Sequence, residues 1–124
     1  MNKFSKYWLP VIIWGGVIFT LSSIPDLKSG LKEDFILRKI AHILEFAILT
    51  LLLYRAIVVD EPRINKAIIF SLIIALFYAL SDEYHQIFVE GRQGSFRDAG
   101  IDSIGILIVA LVCYIKNRKK SPTN

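Results

Sequence analysis

The chain has 124 residues, 54% of them hydrophobic and 21% charged, with a formal net charge of +4 and a mean hydropathy of +0.51. Disorder is excluded, because disordered chains are poor in apolar residues. An ordinary soluble domain is excluded too, because so short a chain has too little interior to hide that much apolar surface. A single cysteine, Cys113, rules out a disulfide scaffold and a cysteine-based zinc site. The basic residues flank apolar stretches and form no basic stripe with interleaved aromatics, which argues against nucleic acid as a partner.

Four apolar segments follow one another, at about 8–24, 40–59, 67–89 and 99–115. Each is about 17–23 residues long, enough to cross a ~30 Å hydrocarbon core as a helix. A spanning segment must satisfy its own backbone hydrogen bonds, and the period-2 alternation of a barrel strand is absent. The expected fold is therefore an all-α membrane protein, four transmembrane helices in a compact bundle, forming a single domain over residues 1–124. Lys3 and Lys6 precede the first segment as they would in a signal peptide. Its apolar run is too long for a usual signal core, however, and no small-x-small cleavage site follows, so a retained helix is expected.

The connectors are short. In 25–39 the second half alternates charge with Leu31, Phe35 and Ile36, as an interfacial helical turn does. Residues 60–66 hold Asp60, Glu61 and Pro62 and read as a turn, and residues 90–98 read as a polar loop with Gly91 and Gly94. Four spans put both termini on one side of the membrane. That side carries nine of the basic residues, among them Lys3, Arg55, Arg63 and Lys116, and the other carries six, among them Lys28, Arg38, Lys39, Arg92 and Arg97. The positive-inside rule then places both termini in the cytoplasm of a multi-pass cell-membrane protein. Membrane lipids are its expected partners, with the basic run Lys116–Lys120 set against anionic headgroups.

Charge inside a membrane is costly, roughly 2.5–3.5 kcal/mol at mid-span on insertion scales. This chain nonetheless places His42 and Glu45 in its second span, Asp82, Glu83 and His85 in its third, and Asp98 and Asp102 at the opening of its fourth. The topology puts all of them, with Ser22 and Ser23, in the half of the bilayer away from the termini. Helical spacing aligns Arg38, His42 and Glu45 on one face, and Asp82, His85 and Gln86 on another that Tyr78 extends. Glu83 is turned about 100° from Asp82, so the two carboxylates are not expected to point at one spot. Asp98, Asp102 and Gly105 align on the fourth helix, where Gly100 and Ser103 add small residues suited to close contact.

In the 90–98 loop, Arg92 and Arg97 can fork two hydrogen bonds to a phosphate or carboxylate, and Ser95 or Asp98 can cap the fourth helix. Structural readings stand beside these: His42 and His85 as bundle or interfacial residues, Glu83 with Gln86 as a helix-helix bridge, Arg92 as an ion-pair partner of Glu83 or Asp98. The His and acid residues are donors that suit a divalent zinc, manganese or magnesium ion. No short His-x-x-x-His or His-x-Glu motif supports one, so a metal is not favoured, no metal ligand is assigned and the cofactor stays unknown. A serine nucleophile would need Ser22, Ser23, Ser81 or Ser95 beside a His, and no nucleophile-elbow motif is present.

The stretch Ser81-Asp82-Glu83-Tyr84-His85-Gln86-Ile87-Phe88-Val89-Glu90-Gly91-Arg92, followed by Ser95, Asp98, Asp102 and Gly105, resembles the VanZ-like family. That family is named for a glycopeptide-antibiotic accessory protein associated with teicoplanin resistance. The resemblance extends to Phe19 through Ser23 with Pro25, and to Lys39 and His42, and so covers most of the chain. The family often has Asn where Asp102 stands here. The resemblance implies a small polytopic membrane protein and an effect on teicoplanin susceptibility; it does not imply a reaction.

The expected function is therefore the binding or processing of an amphiphilic anionic ligand at the outer leaflet, either a lipid-linked envelope precursor or a glycopeptide antibiotic. Arg38, Lys39, Gln86, Arg92, Ser95, Arg97 and Asp102 are its candidate ligand-binding residues, and His42, Glu83, His85 and Asp98 its candidate catalytic residues. Two alternatives stand beside it: a non-catalytic binding or accessory protein with a structural polar cluster, and an intramembrane hydrolase or transferase. A transporter is disfavoured, because the half of the membrane near the termini is almost wholly apolar.

Overall fold

The computed structural model of the chain describes residues 2–23, 32–89 and 96–120. They form four helices in chain order, α1 (Lys3–Ser23), α2 (Lys32–Ile57), α3 (Ile64–Ile87) and α4 (Phe96–Lys120). All four are long and apolar enough to cross a membrane. The helices overrun the segments marked by hydropathy. α2 starts at Lys32, not near 40, because the charged, amphipathic stretch before the apolar run continues the same helix. α4 starts at Phe96, so Arg97 and Asp98 belong to its first turn and not to a loop. Arg92 and Ser95 lie outside the described residues.

Large apolar side chains face outward on every helix: Ile12 and Ile13 on α1, Leu44 and Leu51 on α2, Ile73 and Phe77 on α3, Leu107 and Leu111 on α4. In water such a surface would drive aggregation; in lipid it is the solvated surface. The interior is a narrow seam of Ile18, Phe46, Leu49, Leu53, Ala75, Ala79 and Ile106. Small residues set its width, since between membrane helices close backbone approach replaces the hydrophobic drive available in water. Gly105 is the tightest point. A Cβ there would stand 2.2 Å from the Ile43 carbonyl oxygen, so α4 rests directly on the α2 backbone. Gly100 plays no such part, as a Cβ there would meet nothing within 4 Å.

α1 is held more thinly, with Ile18 and Ser22 its buried residues. Polar contacts along its length help to fix it. The Trp14 indole donates to the Glu45 carbonyl at 2.9 Å, the Tyr78 hydroxyl donates to the Gly15 carbonyl, and Ser23 meets His85 at 2.9 Å. The buried hydroxyls deeper in the bundle satisfy themselves within their own helices: Thr50 donates to the Phe46 carbonyl at 2.7 Å and Ser71 to the Ile68 carbonyl at 2.8 Å. Such back-bonding is the usual way for a hydroxyl to survive inside a membrane helix.

Candidate functional site

The polar residues gather where α2 and α4 begin and α3 ends. The close seat of Gly105 on Ile43 sets their geometry. His42 adjoins Ile43 in sequence and Asp102 lies one turn before Gly105, so the same contact brings these two side chains together. His42 Nδ1 is 3.6 Å from Asp102 Oδ1 and 3.9 Å from Glu45 Oε2. From the third helix, Asp82 and Glu83 are both buried, at 4% and 3% exposure, beside Asp102 at 2%. Glu83 shares a hydrogen bond with Asp102, and Asp82 lies close enough to act on it electrostatically.

This corrects the expectation that Asp82 and Glu83 point to different places. A 100° arc of α3 is enclosed at this level, because α1, α2 and α4 all pack against it or its neighbours. Adjacent carboxyls therefore both face inward, toward α4. Ligand atoms of His42, Asp82 and Asp102 fall within 4.8 Å of one another. These residues come from three helices, which is why no short sequence motif announced the group. Gln86, one turn beyond Asp82, is buried as well. Among the described residues its Nε2 has no hydrogen-bond partner, nor have Ser22 Oγ and Asp102 Oδ2.

Nearer the membrane surface Lys39 forms an ion pair with Asp98 that is about a quarter exposed at each partner. Asp98 thus has two attractions, the lysine and the positive end of α4 in whose first turn it sits. Lys39 also acts on Asp102 one turn deeper. Arg38 and Arg97 adjoin the two partners in sequence, so this rim carries three cationic side chains, with Arg38 half-buried and Arg97 exposed.

His85 does not join this group. It turns to α1, where its ring stacks on Phe19 with centroids 4.5 Å apart and its Nε2 meets Ser23 Oγ. A Ser-His contact therefore exists that sequence spacing did not foresee. Its chemistry is constrained, because Ser23 Oγ also lies 2.8 Å from the Phe19 carbonyl. With the one hydroxyl hydrogen given to that carbonyl, His85 must donate to Oγ, the reverse of what a general base does. Phe19 also lines an apolar groove of about 390 Å³ with Val11, Gly15, Gly16, Leu53 and Tyr78. The groove and His85 are thus neighbours through one ring.

The structure assembles His42, Glu83 and Asp102, sets Lys39 and Asp98 above them, buries Gln86 beside Asp82 and sends His85 to α1. Asp82 and Glu45 join the site although neither was named as a binding or catalytic residue from the sequence; the signal for both was an ionisable side chain within a span, while Ser23, weighed as a nucleophile, meets His85 on the α1 side.

A family model described as VanZ/LLP1 matches residues 3–117. No curated protein matches the chain, and no solved structure does.

Proposed function

Because the chain belongs to the VanZ/LLP1 family, we propose that it acts at the cell envelope, lowering teicoplanin susceptibility by holding an amphiphilic anionic ligand at the outer leaflet. The observation that carries this reading is the cationic rim. Arg38 and Lys39 near the start of α2 and Arg97 in the first turn of α4 lie at the same end of the bundle, with Lys39 paired to Asp98, and a guanidinium fork matches the geometry of a phosphate or carboxylate. The groove beside Phe19 offers an acyl chain an apolar bed. Such a ligand is a lipid-linked envelope precursor or the lipoglycopeptide itself. The binding set is Arg38, Lys39, Gln86, Arg97 and Asp102, with Arg92 and Ser95 from the adjoining connector. His42, Glu83, His85 and Asp98 are the candidates to orient the ligand or move a proton.

Both termini lie in the cytoplasm on this reading, with the rim outside. In a Cys113→Ser background, a cysteine at Phe88 reacts with an impermeant thiol reagent on intact cells and one at Asp60 does not; the reverse pattern overturns the orientation.

The function is tested by expressing the chain in a teicoplanin-sensitive host. Expression raises the inhibitory concentration, and Arg38→Gln with Arg97→Gln abolishes the rise at equal membrane abundance. Full protection by the double variant would sink the rim mechanism. No rise with the unmodified chain would sink the assignment to teicoplanin. Turnover of a lipid-linked precursor by the purified chain would instead favour an intramembrane hydrolase or transferase.

A further inference from the structure

We infer that His42, Asp82 and Asp102 form a binding site for a divalent cation, zinc or manganese, at the end of the bundle where α2 and α4 begin. This goes beyond the ligand reading and does not depend on it.

The first ground is geometry. Around a tetrahedral ion with bonds of about 2.0–2.2 Å, neighbouring ligand atoms stand about 3.4 Å apart. His42 Nδ1 and Asp102 Oδ1 are 3.6 Å apart, and one ligand atom from each of His42, Asp82 and Asp102 lies within 4.8 Å of the other two. Small side-chain rotations close the remaining gap. Three ligands from three helices leave a fourth position for water or a ligand, as open metal sites do.

The second ground is independent of the cluster's composition. Asp102 is 2% exposed, and its Oδ2 has no hydrogen-bond partner among the described residues. A buried carboxyl oxygen is costly to leave without a partner. Its other attractions do not remove the deficit: Lys39 acts on Asp102, yet its ammonium is already held by Asp98. A cation held by both oxygens of Asp102 gives Oδ2 a partner as well and offsets the carboxyls crowded around it. Glu83, hydrogen-bonded to Asp102, stands where a carboxyl steadies a ligating neighbour.

The third ground is ligand type. Imidazole with carboxylates suits zinc and manganese, whereas calcium and magnesium prefer oxygen alone. The missing His-x-x-x-His pattern carries no weight against this, since the ligands come from separate helices.

The test uses the full chain in detergent, stripped with chelator and then titrated with Co²⁺ as a spectroscopic stand-in, with Zn²⁺ and Mn²⁺ as competitors. One Co²⁺ binds per chain with visible d–d bands, X-ray absorption reports a single imidazole among oxygen ligands, and Zn²⁺ or Mn²⁺ displaces it. Asp102→Asn and His42→Gln each weaken binding about tenfold or more, while Glu61→Gln, at the opposite end, leaves it unchanged. Helical circular dichroism and elution volume check that each variant folds. Absence of Co²⁺ binding by the unmodified chain overturns the proposal, leaving protons alone to neutralise the carboxyls. An absorption spectrum without imidazole also overturns it, whether or not the variants fold. So does binding that survives in a folded Asp102→Asn chain.

Discussion

The two ends of the bundle handle charge in opposite ways. At the end holding the termini, Lys3 pairs with Asp60 at 3.3 Å while both side chains stay about 70% exposed, and Arg63 reaches Glu61 at 3.1 Å on the connector between α2 and α3. The Lys3–Asp60 pair therefore gives up little hydration. At the other end Asp82, Glu83 and Asp102 are each at least 95% buried. Exposed pairs contribute about 0–1 kcal/mol, and burying ions costs several kcal/mol each before any partner is counted. The buried cluster is therefore not a stabilising device. For spanning the membrane alone, leucine would serve better at those positions.

That contrast can be broken or sharpened experimentally, and the largest effect should come from the seam that assembles the buried end. Gly105→Ala forces a methyl group against the Ile43 carbonyl and should lower stability by about 1–3 kcal/mol, read as a fall in thermal midpoint in detergent. Gly100→Ala, which meets nothing, should hold or slightly raise it, since alanine is the better helix former by up to about 1 kcal/mol.

Next comes the cluster itself. In chelator-treated protein Asp102→Asn should leave stability within about 1 kcal/mol of the unmodified chain or raise it, because it removes one of several crowded carboxyls and keeps the shape. A loss of several kcal/mol would show that the carboxyl does structural work after all.

At the exposed end the effects should be small. Lys3→Met should change stability by less than about 0.5 kcal/mol, and added salt should abolish even that. Smallest of all is an acid effect at Glu61. The Arg63 backbone N–H and guanidinium hold this carboxyl below its ordinary value of 4.5. A group depressed in the folded state contributes stability above its unfolded pKa, and that contribution is lost as pH falls through the folded one. Glu61→Gln should therefore flatten a slight decline in stability below about pH 4.5 and change nothing at neutral pH.

Much of the fold was legible in the sequence. Four spans follow from four apolar runs, since length and composition alone set what can cross a bilayer. Helix ends were less legible: α2 runs back to Lys32 and α4 on to Lys120, because a helix does not stop where hydropathy does. The site was legible only by half. Topology places His42, Glu83 and Asp102 in the same half of the spans, and the structure brings them together at one end of the bundle. Spacing within a helix says nothing of how that helix is rotated against its neighbours. That rotation decides that both Asp82 and Glu83 face inward and that His85 meets Ser23. Gly105 was the one residue whose chemistry hinted at the rotation, since only a missing side chain lets two backbones touch.

The thin attachment of α1 sets an order of disassembly. Two buried residues and a handful of polar contacts secure it, whereas α2 and α4 meet backbone to backbone. Local opening begins where the fewest buried contacts must be given up. When detergent or a thinning bilayer competes for the bundle's flanks, α1 should part first and take apart the groove that its Val11, Gly15, Gly16 and Phe19 form with Leu53 and Tyr78, with α2, α3 and α4 still joined around their carboxyls.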